Sequence, residues 1–448
     1  VTTDTPHILL VNPWIDDFAA YDVWAQPLGL LMLASVLRAQ GYRISYIDCL
    51  DRFHPRAPRS DPFARQGRGP YLKTPLPAPP GLEDIPRRYS RYGIRRQWLK
   101  GDLAQLARPD LILVTSMMTY WYPGLQATIA ELRNAYPGVP ILLGGVYATL
   151  CRDHAERTAG ADHVLPGNLN ARMLAFIDSF FGYTRRPVFD LDDVDAYPYP
   201  AWDLRQQLNY VPVVTSFGCP FDCAYCASRF LQPQCRKRQP QAVIEEILYW
   251  HHASGVRDFV IYDDAFLIQA GSHAGPILEG LIRARVRLRL HTPNALHIRG
   301  LDTAMARLLA RAGFCTIRLG LETTVRQDHP RHDRKVNLEE FVRAALNLFK
   351  AGFTSRQLGA YLLIGLPGQP IESVVDSIRC VKAHGIRPIL AYYTPIPHTP
   401  LWPAAVAAAR YDLEADPVFS NNAIFPCQAE SFSWERLSRL KEMTRLGD

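Results

Sequence analysis

Two series of strand-like runs, each alternating with helical ones, constrain what this 448-residue chain can fold into. In the first series the strands read HILLVNP, RISYID, DLILVTS, PILLGG and DHVLPG. Between them PLGLLMLASVLRAQG reads as a helix ending at Gly41, LQATIAELRNAYPG as a second, and NARMLAFIDSFF as a closing one. Such alternation predicts an α/β fold with a parallel, doubly wound sheet. Ligands of these sheets sit beyond the carboxyl ends of the strands. Those ends carry Asn12, Thr115, Ser116, Gly144 and Gly145. The second series runs from VPVVTSF through DFVIYDD, RLRLHTP, TIRLGLE and LGAYLLIG to PILAYYTP. These strand–helix units follow in a row without a Rossmann glycine fingerprint. They predict an open or partial (β/α)6 barrel, whose site faces the carboxyl ends of its strands.

The expected organisation is a doubly wound domain over 1–185, a connector over 186–210, a barrel over 211–402 and a helical extension over 403–448. The first domain is interrupted at about 51–100 by a segment rich in Pro and Arg. A loop this long is usually functional or disordered. A partly ordered surface insertion is the first expectation, and a lid over the site the second. Composition, 48% hydrophobic and 21% charged, is that of a soluble globular protein. No apolar run reaches the roughly 18 residues that span a bilayer, and the first residues do not read as a signal peptide. The nine cysteines form no secreted framework. They suggest a reducing compartment, the cytoplasm by default. A formal charge of +7 suits an anionic ligand or a plain solvated surface equally.

Three of those cysteines, Cys219, Cys223 and Cys226, fall within GCPFDCAYCAS, just after the first strand of the second series. Two chemistries want clustered thiolates: structural zinc and iron–sulfur clusters. Zinc is normally closed by four ligands, and Cys235 could be the fourth. A four-iron cluster held by three cysteines leaves one iron open to another ligand.

The Cys-x3-Cys-x2-Cys spacing, with Tyr225 before the third cysteine, resembles the radical S-adenosylmethionine (SAM) superfamily. The resemblance runs from about Pro212 to Pro400. It implies a four-iron cluster on Cys219, Cys223 and Cys226, SAM chelated to its open iron, and reductive cleavage to methionine and a 5′-deoxyadenosyl radical. It also implies SAM contacts at the strand ends. Tyr225 would meet adenine through its backbone. Asp263 and Asp264 of YDDAF replace the Gly-Gly-Glu that holds the methionine amino group in relatives. Asn294 and His297 of TPNALH end the third strand, and Arg318 and Glu322 of RLGLET the fourth. Gly365 and Leu366 of IGLPGQ would pack near adenine. An ordinary turn, a solvated histidine and a helix-capping aspartate pair are the competing readings of these positions.

The first series, from about Ile8 to Phe181, is similar to the Rossmann-like, cobalamin-binding type of domain found ahead of many radical SAM modules. The resemblance implies that Thr115, Ser116, Gly144, Gly145, Tyr147 and Thr149 line the corrin or its nucleotide tail. No Asp-x-His-x-x-Gly follows the first strand, so no histidine is placed to ligate cobalt from below. Where relatives have Gly-Glu after the last strand, this chain has Gly167 and Asn168. A domain that kept the fold and lost the cofactor is the alternative. Tyr120 and Trp121 in TSMMTYWYPG, with His297 and Tyr393, are the candidates for catalytic contact.

The resemblance implies a cobalamin-dependent radical SAM enzyme, a methyltransferase acting on carbon or phosphorus of a small molecule. Its partners would be that substrate and an electron donor such as flavodoxin or ferredoxin, with no membrane. The alternative enzyme is a radical SAM catalyst of cyclisation, rearrangement or transfer of another SAM-derived group. RNA modification is the weaker reading, prompted by the arginines and aromatics of RRYSRYGIRRQWLK. Methylthiotransferases of RNA carry three further cysteines in their first domain, where this chain has only Cys49 and Cys151.

Overall fold

The run HILLVN forms a strand, β1 (His7–Asn12), buried along its whole length. Parallel neighbours flank it on both sides, so both of its faces must be apolar. The computed structural model describes residues 5–325, 336–427 and 432–445. With β2 (Arg43–Asp48), β3 (Leu111–Val114), β4 (Ile141–Leu143) and β5 (His163–Val164), β1 makes a parallel sheet in the order β2-β1-β3-β4-β5. Side chains alternate between faces. Leu9, Val11, Ile112, Val114, Ile141 and Leu143 pack with Leu125, Ile129 and Leu132 of a helix, α2 (Tyr122–Ala135), that follows α1 (Leu28–Ala39) in the chain. Ile8, Leu10, Leu111, Leu113 and Leu142 pack with Leu30, Ala34 and Leu37 of α1 and with Leu174 and Ile177 of α3 (Ala171–Ser179). Strand order reverses between β1 and β3, which opens a crevice at their carboxyl ends.

The 51–100 segment departs from the expected surface loop. Ser90–Tyr92 pairs antiparallel with both Lys73–Pro75 and Ile15–Asp17, a small three-stranded sheet. Tyr71, Leu82, Ile85, Tyr89 and Tyr92 are buried. The segment's ends meet, with Ile94 N–H donating to the Cys49 carbonyl at 2.7 Å. Gly93 makes this approach possible: it sits at φ +122°, and a Cβ there would lie 2.1 Å from the Cys49 oxygen. The arginines that prompted the RNA reading differ: Arg91 is half-buried, whereas Arg88, Arg95 and Arg96 are exposed. Arg91 binds buried Asp16 through two bonds, at 2.9 and 2.7 Å. Arg96 pairs with Glu131, and Arg95 lies over the Trp98 ring.

The second series forms a separate sheet of β6 (Val211–Val213), β7 (Asp258–Ile261), β8 (Arg289–His291), β9 (Phe314–Glu322), β10 (Leu358–Ile364) and β11 (Arg387–Tyr392). These strands stand in sequential order and every pairing is parallel. Helices α4 (Pro240–Ser254), α5 (Ala274–Arg283), α6 (Thr303–Arg311), α7 (Leu338–Lys350) and α8 (Ile371–Ala383) connect them. This is the partial (β/α)6 barrel that the pattern predicts. The C-terminal amphipathic run forms α9 (Trp434–Met443), capped by Ser433, with Leu437 and Leu440 buried. Among the described residues no helix is long and apolar enough to cross a membrane.

The chain divides into two compact units. One runs to Asn209 and is completed by Ala415–Phe419; the other runs from Tyr210 to Glu414 and resumes at Ser420. Asp416 belongs to the first unit and accepts the Tyr122 hydroxyl at 2.8 Å.

Candidate functional site

After β6 the chain passes through Thr215 and Ser216 into the cysteine loop. Ser216 and Phe217 pair antiparallel with Lys237 and Arg236, which brackets the loop in a hairpin. Gly218 sits at φ +77°, and a Cβ there would come 2.7 Å from the Gln234 carbonyl oxygen. Cys219 and Cys223 are buried, Cys226 is half-buried, and none of the three is in a disulfide. Cys226 N–H donates to the Cys223 carbonyl at 3.0 Å and closes the turn that carries Tyr225. The Cys226 sulfur accepts from Ser228 N–H at 3.4 Å. Other elements hold the loop from outside. Leu401 N–H donates to the Ala224 carbonyl at 2.9 Å. Phe221 stacks on His297 with ring centres 4.3 Å apart, and Phe230 on His398 at 4.2 Å.

Three soft thiolates on one braced loop fit an iron–sulfur cluster. Among the described residues no three His, Cys, Asp or Glu side chains close on a single-ion site. A four-iron cluster takes its thiolates at separate corners and does not require that convergence. Cys235, the alternative fourth zinc ligand, is exposed.

The strand ends supply the other expected residues, in varied settings. Asp263 is 3% exposed, whereas Asp264 is open to solvent. Burial pushes the Asp263 carboxyl up to about 6, against the bonds it accepts from Ser216 and Thr215. Asn294 donates to the Tyr262 carbonyl at 2.8 Å, tying the end of β8 to that of β7. Arg318 is fastened to the backbone. Its guanidinium donates to the carbonyls of Ile317 and Gln357, at 3.0 and 3.3 Å, and Gln357 lies just before β10 begins.

Glu322 ends β9 at φ +65°, and Thr323 N–H donates to the Leu321 carbonyl at 2.7 Å. A non-glycine residue at the centre of such a three-residue turn is strained, and strain of this kind collects at functional sites. Gly365, at φ +90°, and Leu366 form a turn that Gln369 braces. Its side-chain oxygen accepts from Gly365 N–H at 2.9 Å, and its amide donates to the Leu363 carbonyl at 2.9 Å. Gln369 was part of the IGLPGQ motif, yet only the structure reveals its work. A Cβ on Gly365 would lie 3.0 Å from the ring of Phe425, a residue no local pattern connects to that turn. Tyr393 is 4% exposed, and its hydroxyl has no hydrogen-bond partner among the described residues.

In the first unit a narrow recess of about 30 Å³ lies at the β1/β3 crevice. Asn12, Trp14, Ser116, Met117, Trp121 and Tyr147 are among its lining residues, and no histidine is. Trp121 is held there by its indole N–H, which donates to buried Asp17 at 2.6 Å. Tyr120 is buried and meets Trp121 edge-on. Met117 and Met118 are exposed at the strand end, and Thr115 is half-buried beside them. Several residues expected at the corrin are occupied within the chain. The Ser116 hydroxyl donates to the Gly144 carbonyl at 2.6 Å. Thr149 donates to the Gly145 carbonyl at 2.8 Å and accepts from Gly167 N–H at 2.9 Å. The Tyr147 hydroxyl is shared with His154 at 2.7 Å.

The paired glycines differ. A Cβ on Gly145, at φ +95°, would lie 2.3 Å from the Ser116 carbonyl oxygen, so its own neighbour demands glycine. A Cβ on Gly144 would meet only the Leu165 oxygen, at an ordinary 3.6 Å.

A doubly wound unit and a partial barrel with a three-cysteine loop define a class, and comparison with known proteins shows what the chain resembles. Residues 213–381 match the Radical SAM superfamily. An uncharacterised methyltransferase of Pyrococcus horikoshii is 24% identical over 70% of this chain and 74% of its own length. An anaerobic magnesium-protoporphyrin IX monomethyl ester cyclase of Cereibacter sphaeroides is 24% identical over 66% of this chain, which spans 53% of that protein. The fold matches that of the radical SAM methyltransferase TsrM from Kitasatospora setae, solved with cobalamin and a [4Fe-4S] cluster. The TM-score is 0.65 at 18% identity, covering 91% of this chain and 78% of that one.

Proposed function

We propose that this chain is a cobalamin-dependent radical SAM methyltransferase acting on an unactivated carbon, or a phosphorus, of a small molecule. The observation that carries the reading is the pairing, in one chain, of the three-cysteine loop with an apolar strand-end recess in a doubly wound unit. When bound, the cluster and SAM would supply a 5′-deoxyadenosyl radical, and cobalamin a methyl group. Cys219, Cys223 and Cys226 would hold the cluster. Met117, Trp121 and the Gly144 turn would cover the corrin. Trp14 and Trp121 make the recess apolar, which excludes water from reactive species. The reading expects a small acidic electron-donor protein as partner and a cytoplasmic setting.

The test is anaerobic reconstitution with iron, sulfide and hydroxocobalamin, followed by reduction with SAM. Both S-adenosylhomocysteine and 5′-deoxyadenosine are expected, because one SAM donates methyl and another the radical. The cyclase relatives favour a second reading, a non-methylating radical reaction. Production of 5′-deoxyadenosine alone, with cobalamin bound, would favour it.

The glycine pair offers a cleaner probe of the corrin. Gly144→Ala has room within the chain, so it is expected to leave folding intact and lower cobalamin uptake. Gly145→Val tests something else. The clash with Ser116 assigns it to folding, and its melting temperature should fall whether or not cobalamin is present. Full cobalamin uptake by Gly144→Ala would remove that turn from the site.

A further inference from the structure

We propose that Asp263 is a positioning residue for the cysteine loop and not a SAM ligand, an inference that rests on reading Cys219, Cys223 and Cys226 as cluster ligands. Asp263 and Asp264 stand together beyond β7, and the resemblance offers both to the methionine amino group. The structure separates them. Both oxygens of Asp263 are occupied by residues 215 and 216. One accepts from Thr215 N–H at 2.6 Å. The other accepts from the Thr215 and Ser216 hydroxyls, each at 2.6 Å. With 3% of its surface exposed, Asp263 leaves no open face for an ammonium group. Asp264 is exposed and can take that role.

What Asp263 grips decides its work. Thr215 and Ser216 are the last residues before Phe217, Gly218 and Cys219, so they set the direction in which the loop leaves β6. Thr215 is fastened at two further points. Its carbonyl accepts from Arg238 N–H at 3.0 Å. Its hydroxyl, having given its proton to Asp263, accepts from His273 Nε2 at 3.0 Å. Backbone and side chain of one residue are thus fixed from three elements, with the carboxylate at the centre. A cluster bridging Cys219, Cys223 and Cys226 needs its first thiolate held in place, because two of three ligands give a labile site.

The test uses the full-length, anaerobically reconstituted protein. Asp263→Asn should lose iron to a chelator about fivefold faster than wild type or more, the scale of one lost buried hydrogen bond. Iron-loaded Asp263→Asn should bind SAM within about twofold of wild type, as its own outward neighbour is intact. The reduced cluster's electron paramagnetic resonance spectrum should still shift on adding SAM. Should Asp263→Asn not fold, Thr215→Val carries the test. It should also speed iron loss, and Thr215→Ser, which keeps the hydroxyl, should restore the wild-type rate. Iron retention at the wild-type rate in these variants overturns the proposal, as does a tenfold or greater loss of SAM affinity in iron-loaded Asp263→Asn. Wild-type protein that takes up no iron overturns the cluster reading itself, and is told apart by needing no variant.

Discussion

Changing Cys219, Cys223 and Cys226 together to alanine is expected to abolish both iron binding and SAM cleavage in a chain that stays folded. Cys219 and Cys223 are small, buried side chains, and alanine fills most of that space at little cost. The loop's outside fastenings, from Leu401, His297 and the hairpin with Arg236 and Lys237, do not involve the sulfurs. What is lost is the chemistry: with no thiolates there is no cluster, and with no cluster no electron reaches SAM. Cys235→Ala should behave as wild type. Iron and sulfide content, the visible absorption band and 5′-deoxyadenosine yield measure the effect, with far-ultraviolet circular dichroism to confirm folding. SAM cleavage by the triple variant, or loss of iron from Cys235→Ala, would sink the assignment.

The second large effect concerns stability. Asp258, the first residue of β7, is buried, and His291 at the end of β8 is fully enclosed. The Asp258 carboxylate accepts from Arg289 Nε at 2.7 Å and from His291 Nε2 at 2.9 Å. His291 Nδ1 also meets the Thr316 hydroxyl at 3.1 Å. Asp258→Ala leaves a guanidinium and an enclosed imidazole without their acceptor. Arg289 is partly solvated, so the main loss falls on the enclosed imidazole; leaving one buried group without its partner costs about 1–3 kcal/mol, and the barrel's stability should fall by about that amount. Burial pushes the Asp258 carboxyl up, but the bonds from His291 and Arg289 outweigh it and hold the group below the usual carboxylate range. Its stabilisation is therefore complete above about pH 4 and is lost as pH falls through the lowered value. The gap between wild type and Asp258→Ala should be wide at neutral pH and should narrow in acid. A gap that does not depend on pH would mean that the carboxylate's charge plays no part.

Much of this architecture was legible because its strands are apolar on both faces. HILLVN can be satisfied only between two parallel neighbours, and its position in the chain then orders the rest. The cysteine spacing was equally plain, since thiolates sharing one cofactor lie on one loop. What stayed hidden depends on contacts between residues far apart in sequence. Asp16 and Arg91 meet across the small antiparallel sheet, so the Pro- and Arg-rich segment folds where composition suggested a surface loop. Alternation says that one of Asp263 and Asp264 points inward, but only Thr215 and Ser216 show which. Arg318 captures backbone carbonyls, and Ser116 its neighbour's oxygen, choices that residue type alone does not announce. Phe425 reaches Gly365 from a part of the chain with no periodicity in common with it.

The return of the chain to the first unit at Ala415–Phe419 bears on how the protein is made. Translation delivers the whole doubly wound sheet early, and domains generally fold as they emerge. Here the first unit stays incomplete until the barrel's last strand has been synthesised. Until then the Tyr122 hydroxyl, whose titration burial and Asp416 later push upward, must keep water as its partner. A ribosome that stalls inside the barrel thus leaves both units unfinished, and a gene fragment ending at Asn209 encodes a sheet without its final fastening.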